Sequence, residues 1–84
     1  MDNENEKQFI SSDFYTSAYV LAKGLKLLGI EKDSQNPRRL SFVFADHEDG
    51  QKLAEDFIFS RGLIEPKRYA SAIKELKDLI HSQI

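Results

Sequence analysis

Eighty-four residues suffice for one domain, and a domain of this size withdraws roughly 60–65% of its unfolded surface from water, enough for a single modest core. Hydrophobic residues make up 40% of the chain and charged residues 31%, as in globular proteins, while the lack of cysteine excludes disulfides and thiolate metal sites. The formal net charge of −2 resides in the first ten residues, where Asp2, Glu4 and Glu6 face only Lys7; residues 11–84 balance eleven acids with eleven bases, which argues against a strongly basic nucleic-acid platform.

Residues 1–6, "MDNENE", carry no apolar side chain after Met1 and are expected to form a disordered tail ahead of a single α/β domain over residues 7–84. "KQFI" (Lys7 to Ile10) reads as a short first strand. In "SSDFYTSAYVLAK", Ser11 or Ser12 can accept a hydrogen bond from an early helical N–H, and Asp13 favours the positive end of the helix dipole. Phe14, Ala18 and Leu21 then form one stripe, with Tyr15, Tyr19 and Ala22 beside it, so the pattern predicts a helix over Asp13 to Lys23.

The chain changes structure at Gly24. A glycine after the last turn can take the left-handed conformation that closes a helix, whereas a continued helix would hold Gly24 and Gly29 inside it at about 1 kcal/mol each. From Leu25 to Glu31 the residues alternate loosely, Leu28 and Ile30 on one side and Leu25 and Leu27 on the other. Both faces are partly apolar, which predicts a strand inside the sheet. "EKDSQNPRR" is a polar connection, and "LSFVFAD" gives the clearest strand, with Leu40, Phe42 and Phe44 on one face and Ser41, Val43 and Ala45 on the other. The two strands read as a hairpin with a long loop.

A second helix is expected over residues 46–61, capped by Asp46 with Asp49 three positions on, turning Phe57 and Ile58 to the core and ending at Gly62. Pro66 suits a first helical position, and Tyr69, Ile73, Leu76 and Ile80 form a stripe over about Pro66 to Ser82. The order is (β)-α-β-β-α-α: an α+β, two-layer small domain whose two- or three-stranded sheet has helices packed on it.

Chemistry-bearing motifs are sparse. "DHED" (Asp46 to Asp49) resembles a metal site in composition, but successive helical residues diverge by about 100°, so an acid-rich capped first turn is the simpler reading. His47 and His81 lack an obvious third ligand and read as solvated helix residues. The serines show no nucleophile elbow, the four glycines are too dispersed to cradle a phosphate, and no cofactor is expected. The chain is therefore read as a non-enzyme.

Arg38-Arg39 at the entry to the second hairpin strand and Lys67-Arg68 at the start of the last helix are candidate nucleic-acid contacts. Glu31, Asp33 and Glu65 lie near them in sequence and dilute that field. Lys67 and Arg68 also oppose the dipole of their own helix. Phe59, about 100° from the core-facing side of its helix, either packs under the following loop or stays exposed as a candidate partner surface that can seed a dimer. No apolar run approaches the roughly 20 residues needed to span a bilayer, so no membrane partner is expected. The acidic start is unlike a secretory signal, which points to the cytoplasm.

"DFYTSAYVLAKGLKLLGIE", "LSFVFAD", an acidic helix containing "DF" and "YASAIKELKDLI" together resemble a family of small prokaryotic and phage proteins described only as a domain of unknown function. The resemblance covers about residues 9–81. It implies a compact α/β domain encoded near mobile or viral genes and supplies no catalytic residue. The expectation is a non-enzymatic interaction module whose partner is a protein, self or other. A nucleic-acid accessory protein using Arg38, Arg39, Lys67 and Arg68 is the alternative.

Overall fold

The computed structural model describes residues 7–36 and 38–83; the expected tail over residues 1–6 lies outside them. The elements are β1 (Gln8–Ser11), α1 (Phe14–Ala22), β2 (Leu27–Lys32), β3 (Leu40–Ala45), α2 (His47–Ile58) and α3 (Pro66–Gln83). This is the small α+β domain expected from the sequence. The sheet has the order β1-β3-β2, with both outer strands antiparallel to β3. β1 and β2 therefore run parallel to each other with β3 inserted between them, a split β-α-β arrangement.

Two expectations about the strands need correction. β2 is an outer strand, and β3 occupies the middle. The two-sided apolar pattern of β2 comes from a register shift between Leu27 and Gly29, not from an interior position. This bulge lets both Leu27 and Ile30 join the core, while Leu28 stays 47% exposed. On β3 the alternation holds for Phe42 and Phe44, which are buried in the core; Leu40 is only half-buried.

α1 is the hub, because both α2 and α3 pack on it. Thr16, Ser17, Ala18, Tyr19, Val20 and Ala22 are all buried, so α1 is covered on nearly every side rather than along one stripe. Its polar groups are satisfied locally: the Ser17 hydroxyl donates to the Asp13 carbonyl at 2.7 Å. The helix is capped by Asp13 itself, whose carboxylate accepts Thr16 N–H at 2.8 Å and the Thr16 hydroxyl at 2.6 Å. Ser11, one of the two serines considered for that role, instead accepts the Asp13 N–H at 3.3 Å.

Both α1 and α2 close with the same motif but different residues. In α1, Gly24 takes φ +101°, its N–H donates to Leu21 O at 2.9 Å, and Leu25 N–H reaches Val20 O at 3.4 Å. In α2 the left-handed position belongs to Ser60, at φ 59°, with Ser60 N–H on Phe57 O and Arg61 N–H on Asp56 O. Gly62 is therefore not the terminator. It is small for another reason: a Cβ there would lie 2.6 Å from the Tyr19 hydroxyl oxygen, so the loop runs directly over that ring.

α3 contributes Ala72 and Leu76 to the same core as Phe42 and Phe44, and Leu76 is fully buried. The helix packs mainly across α1. Tyr69 extends this contact: its ring lies 6.4 Å from Phe57, which lies 5.4 Å from Tyr19, and its hydroxyl donates to Tyr15 O at 3.2 Å. Burial, followed by the Tyr15 and Asp13 charges, pushes the Tyr69 phenol upward.

Candidate functional site

Two of the four basic candidates, one from each pair, reach opposite ends of α1. Arg39 donates to Ser12 Oγ at 3.4 Å, just before the helix begins. Arg68 donates to Ala22 O at 2.8 Å, at the other end. Nine residues at 1.5 Å each place about 13 Å of helix between them. Arg68 thereby satisfies a terminal carbonyl of α1 and sits at the negative end of its dipole. This contact offsets its unfavourable place in the first turn of α3, where Glu65 accepts the Arg68 N–H at 3.1 Å. Asp33 N–H closes the β2–β3 hairpin on Arg39 O at 3.0 Å. Acidic residues thus adjoin both basic pairs.

Asp46 caps α2 from a left-handed conformation (φ 70°), its carboxylate accepting Asp49 N–H at 3.1 Å. The "DHED" stretch is used for helix initiation, and among the described residues no three His, Asp or Glu side chains form a metal-binding group. His47 and His81 are exposed.

At the end of α2, Phe59 is 64% exposed and lies 5.4 Å beneath the Arg61 guanidinium. Phe57 turns inward as expected, but Ile58 does not: it is 63% exposed, and Leu63 in the following loop is 83% exposed. Helical spacing accounts for this, since one helix cannot turn both Phe57 against Tyr19 and Ile58, 100° away, into the same narrow contact.

The feature that sequence reasoning missed lies between β1 and α2. Gly50 is buried within α2, and a Cβ at that position would overlap the Phe9 side chain. The glycine lets the helix approach β1 closely. Beside this contact, a groove of about 350 Å³ is lined by Phe9, Ile10, Ala54 and Ile58, with Asp13 and Glu55 among its polar groups. The available signal was a glycine inside an otherwise good helical pattern, which costs about 1 kcal/mol unless close packing requires it.

With this geometry established, comparison with known families matches residues 6–82 to Domain of unknown function (DUF5659). The chain belongs to that family. The match reaches from before β1 to the last turn of α3 and agrees with the resemblance to a domain of unknown function drawn from the helix-Gly-strand segment and the final helix. Comparison with curated proteins and with solved structures gave no match. No helix among the described residues of this family member is long and apolar enough to cross a membrane.

Proposed function

We propose that this DUF5659 domain is a non-enzymatic interaction module of the cytoplasm that works by presenting a surface to a protein partner. The observation that carries the reading is the clustering of Ile58, Phe59 and Leu63, all exposed, within six residues at the end of α2. Self-association through Phe59 is one form of this activity, and the resemblance to small prokaryotic and phage proteins would place it near mobile or viral genes. Light scattering behind size exclusion, over a wide concentration range, tests the dimer: a mass that rises with concentration and falls back in Phe59→Ser supports it. A strict monomer whose Phe59→Ser variant is equally stable and soluble removes it.

The nucleic-acid alternative draws less support, because Arg68 is engaged at the end of α1 and acids adjoin both basic pairs. Four neutralised phosphates would give a log–log salt slope of about −3.6 on duplex DNA. Titration of labelled duplex at 50 mM and 200 mM salt should show only weak binding; tight, salt-steep binding lost on replacing Arg38 and Arg39 together by alanine would favour the alternative.

A further inference from the structure

Among the described residues, the backbone of β1 pairs on one side only, with β3. Ala45 N–H donates to Lys26 O, so Ala45 faces β2, and the alternation of an antiparallel ladder then turns Phe44 and Phe42 toward β1. Their partners Phe9 and Ser11 must face β3, in phase with Lys7, whose carbonyl accepts the His47 N–H at 3.0 Å. Gln8 and Ile10 therefore direct their N–H and C=O groups outward, and among the described residues no hydrogen bond reaches these groups. Ile10 is 54% exposed.

Three observations constrain what could occupy this edge. An unpaired strand edge is complementary to another extended backbone. The adjoining groove offers Phe9, Ala54 and Ile58 to apolar side chains. Its charged lining groups are the carboxylates of Asp13 and Glu55, Arg39 touching the lining only through Ser12 Oγ, and the chain enters β1 from a segment holding Asp2, Glu4 and Glu6. A second copy fits this chemistry less well, because two-fold pairing of β1 would bring the two acidic α2 faces, Glu55 included, toward each other.

Building on the interaction-module reading, we propose that β1 and α2 form a docking groove for an extended segment of a partner protein. The segment adds as a fourth strand beside β1, with apolar side chains flanking a lysine or arginine on the face toward α2. Its backbone pairs with Gln8 and Ile10, the apolar side chains cover Ala54 and Ile58, and the basic group meets Glu55 and Asp13.

The test is an amide-shift titration of the whole chain with the peptide acetyl-TVTKTV-amide, which carries Val, Lys and Val on one face, and with its Lys→Glu analogue. Shifts should concentrate in residues 8–12 and 51–58, and the lysine peptide should bind about ten-fold more tightly. Ile10→Pro removes an outward N–H that makes no ladder bond, so the fold should persist, checked by its amide spectrum, while binding falls about ten-fold or more. Glu55→Lys should reverse the preference between the two peptides. Absent binding, shifts centred elsewhere, equal binding of the two peptides, or full affinity in Ile10→Pro would each overturn the groove. A dimer dissolved by Ile10→Pro would assign the edge to a second copy and overturn the peptide docking. Failure here beside a Phe59-dependent dimer would leave the interaction-module reading standing.

Discussion

The two outer strands of the sheet end in different surroundings. β2 packs chiefly on β3, and its edge is interrupted by the bulge at Leu27/Gly29 and flanked by Lys26 and Lys32. Bulges and lysines are common devices that prevent an exposed edge from pairing with another chain. β1 has no bulge and no lysine along Gln8–Ser11, only Lys7 just before it, and has α2 packed beside it across Gly50. Among the described residues, protection is built into β2, on which no helix packs as closely as α2 does on β1, while the plain edge lies where that helix restricts approach. A sheet of three strands can in this way keep one edge closed to chance partners and leave the other open to a selected one.

The largest expected effect concerns both edges equally. Leu76 is fully buried in the shared core, so Leu76→Ala should cost about 2–5 kcal/mol in a urea melt, with β1 and β2 amides losing protection together. Loss of one edge before the other would show that the two strands do not share a core.

Gly50→Ala separates the edges. At an open helical site alanine would stabilise by about 1 kcal/mol, but here its Cβ meets Phe9, and the expected net result is a loss of about 1–3 kcal/mol. Exchange should quicken in β1 and leave β2 unchanged. A stabilised variant would mean that α2 does not press on β1.

Asp13 joins the end of β1 to α1, and Asp13→Ala should cost about 1 kcal/mol. Hydrogen bonds from the Thr16 hydroxyl and then its N–H hold the Asp13 carboxyl below its ordinary value of 3.8, against a smaller opposing effect of burial. A depressed folded value means that the unfolded chain binds the proton first. The stabilisation is thus complete above the ordinary carboxylate range and lost as pH falls through it to the lowered value. Acid titration of stability should flatten over that window in Asp13→Ala, and an unchanged profile would remove the cap from the account.

Two smaller effects bound the comparison. Ser60→Gly relieves a left-handed serine at the end of α2 and should stabilise by about 0.5 kcal/mol, seen as a slightly higher urea midpoint. Lys74→Ala, on the exposed side of α3 with an Asp78 partner at 3.1 Å, should change stability by less than about 0.5 kcal/mol. A larger loss there would show that α3 uses a face other than the Leu76 stripe.

Local rules carried the sequence reading well and long-range packing limited it. The change at Gly24, the β3 alternation and the α3 stripe follow from single-residue conformational preference and periodicity, and they stand. Gly62 misled because a glycine can mark either a left-handed turn or a close approach, and here the Tyr19 ring decides. β2 misled because a bulge imitates the two-sided apolarity of an interior strand. The basic pairs were visible as residue types, but their separation along α1 was not, since Arg68 reaches Ala22 from 46 positions away. The groove was the least legible, because it depends on β1 meeting α2 across the sheet order, with Gly50 as its only local trace.

The most direct test of the open-edge account is residue-resolved amide hydrogen exchange along β1 in the unmodified chain. Phe9 and Ser11 donate to β3 and should be protected, while Gln8 and Ile10 point outward and should exchange at nearly the rate of free peptide. That alternation is the predicted result. Protection at all four amides would mean that the edge is already occupied, and protection at none would mean that β1 does not form; either contradicts an open, recognition-ready β1.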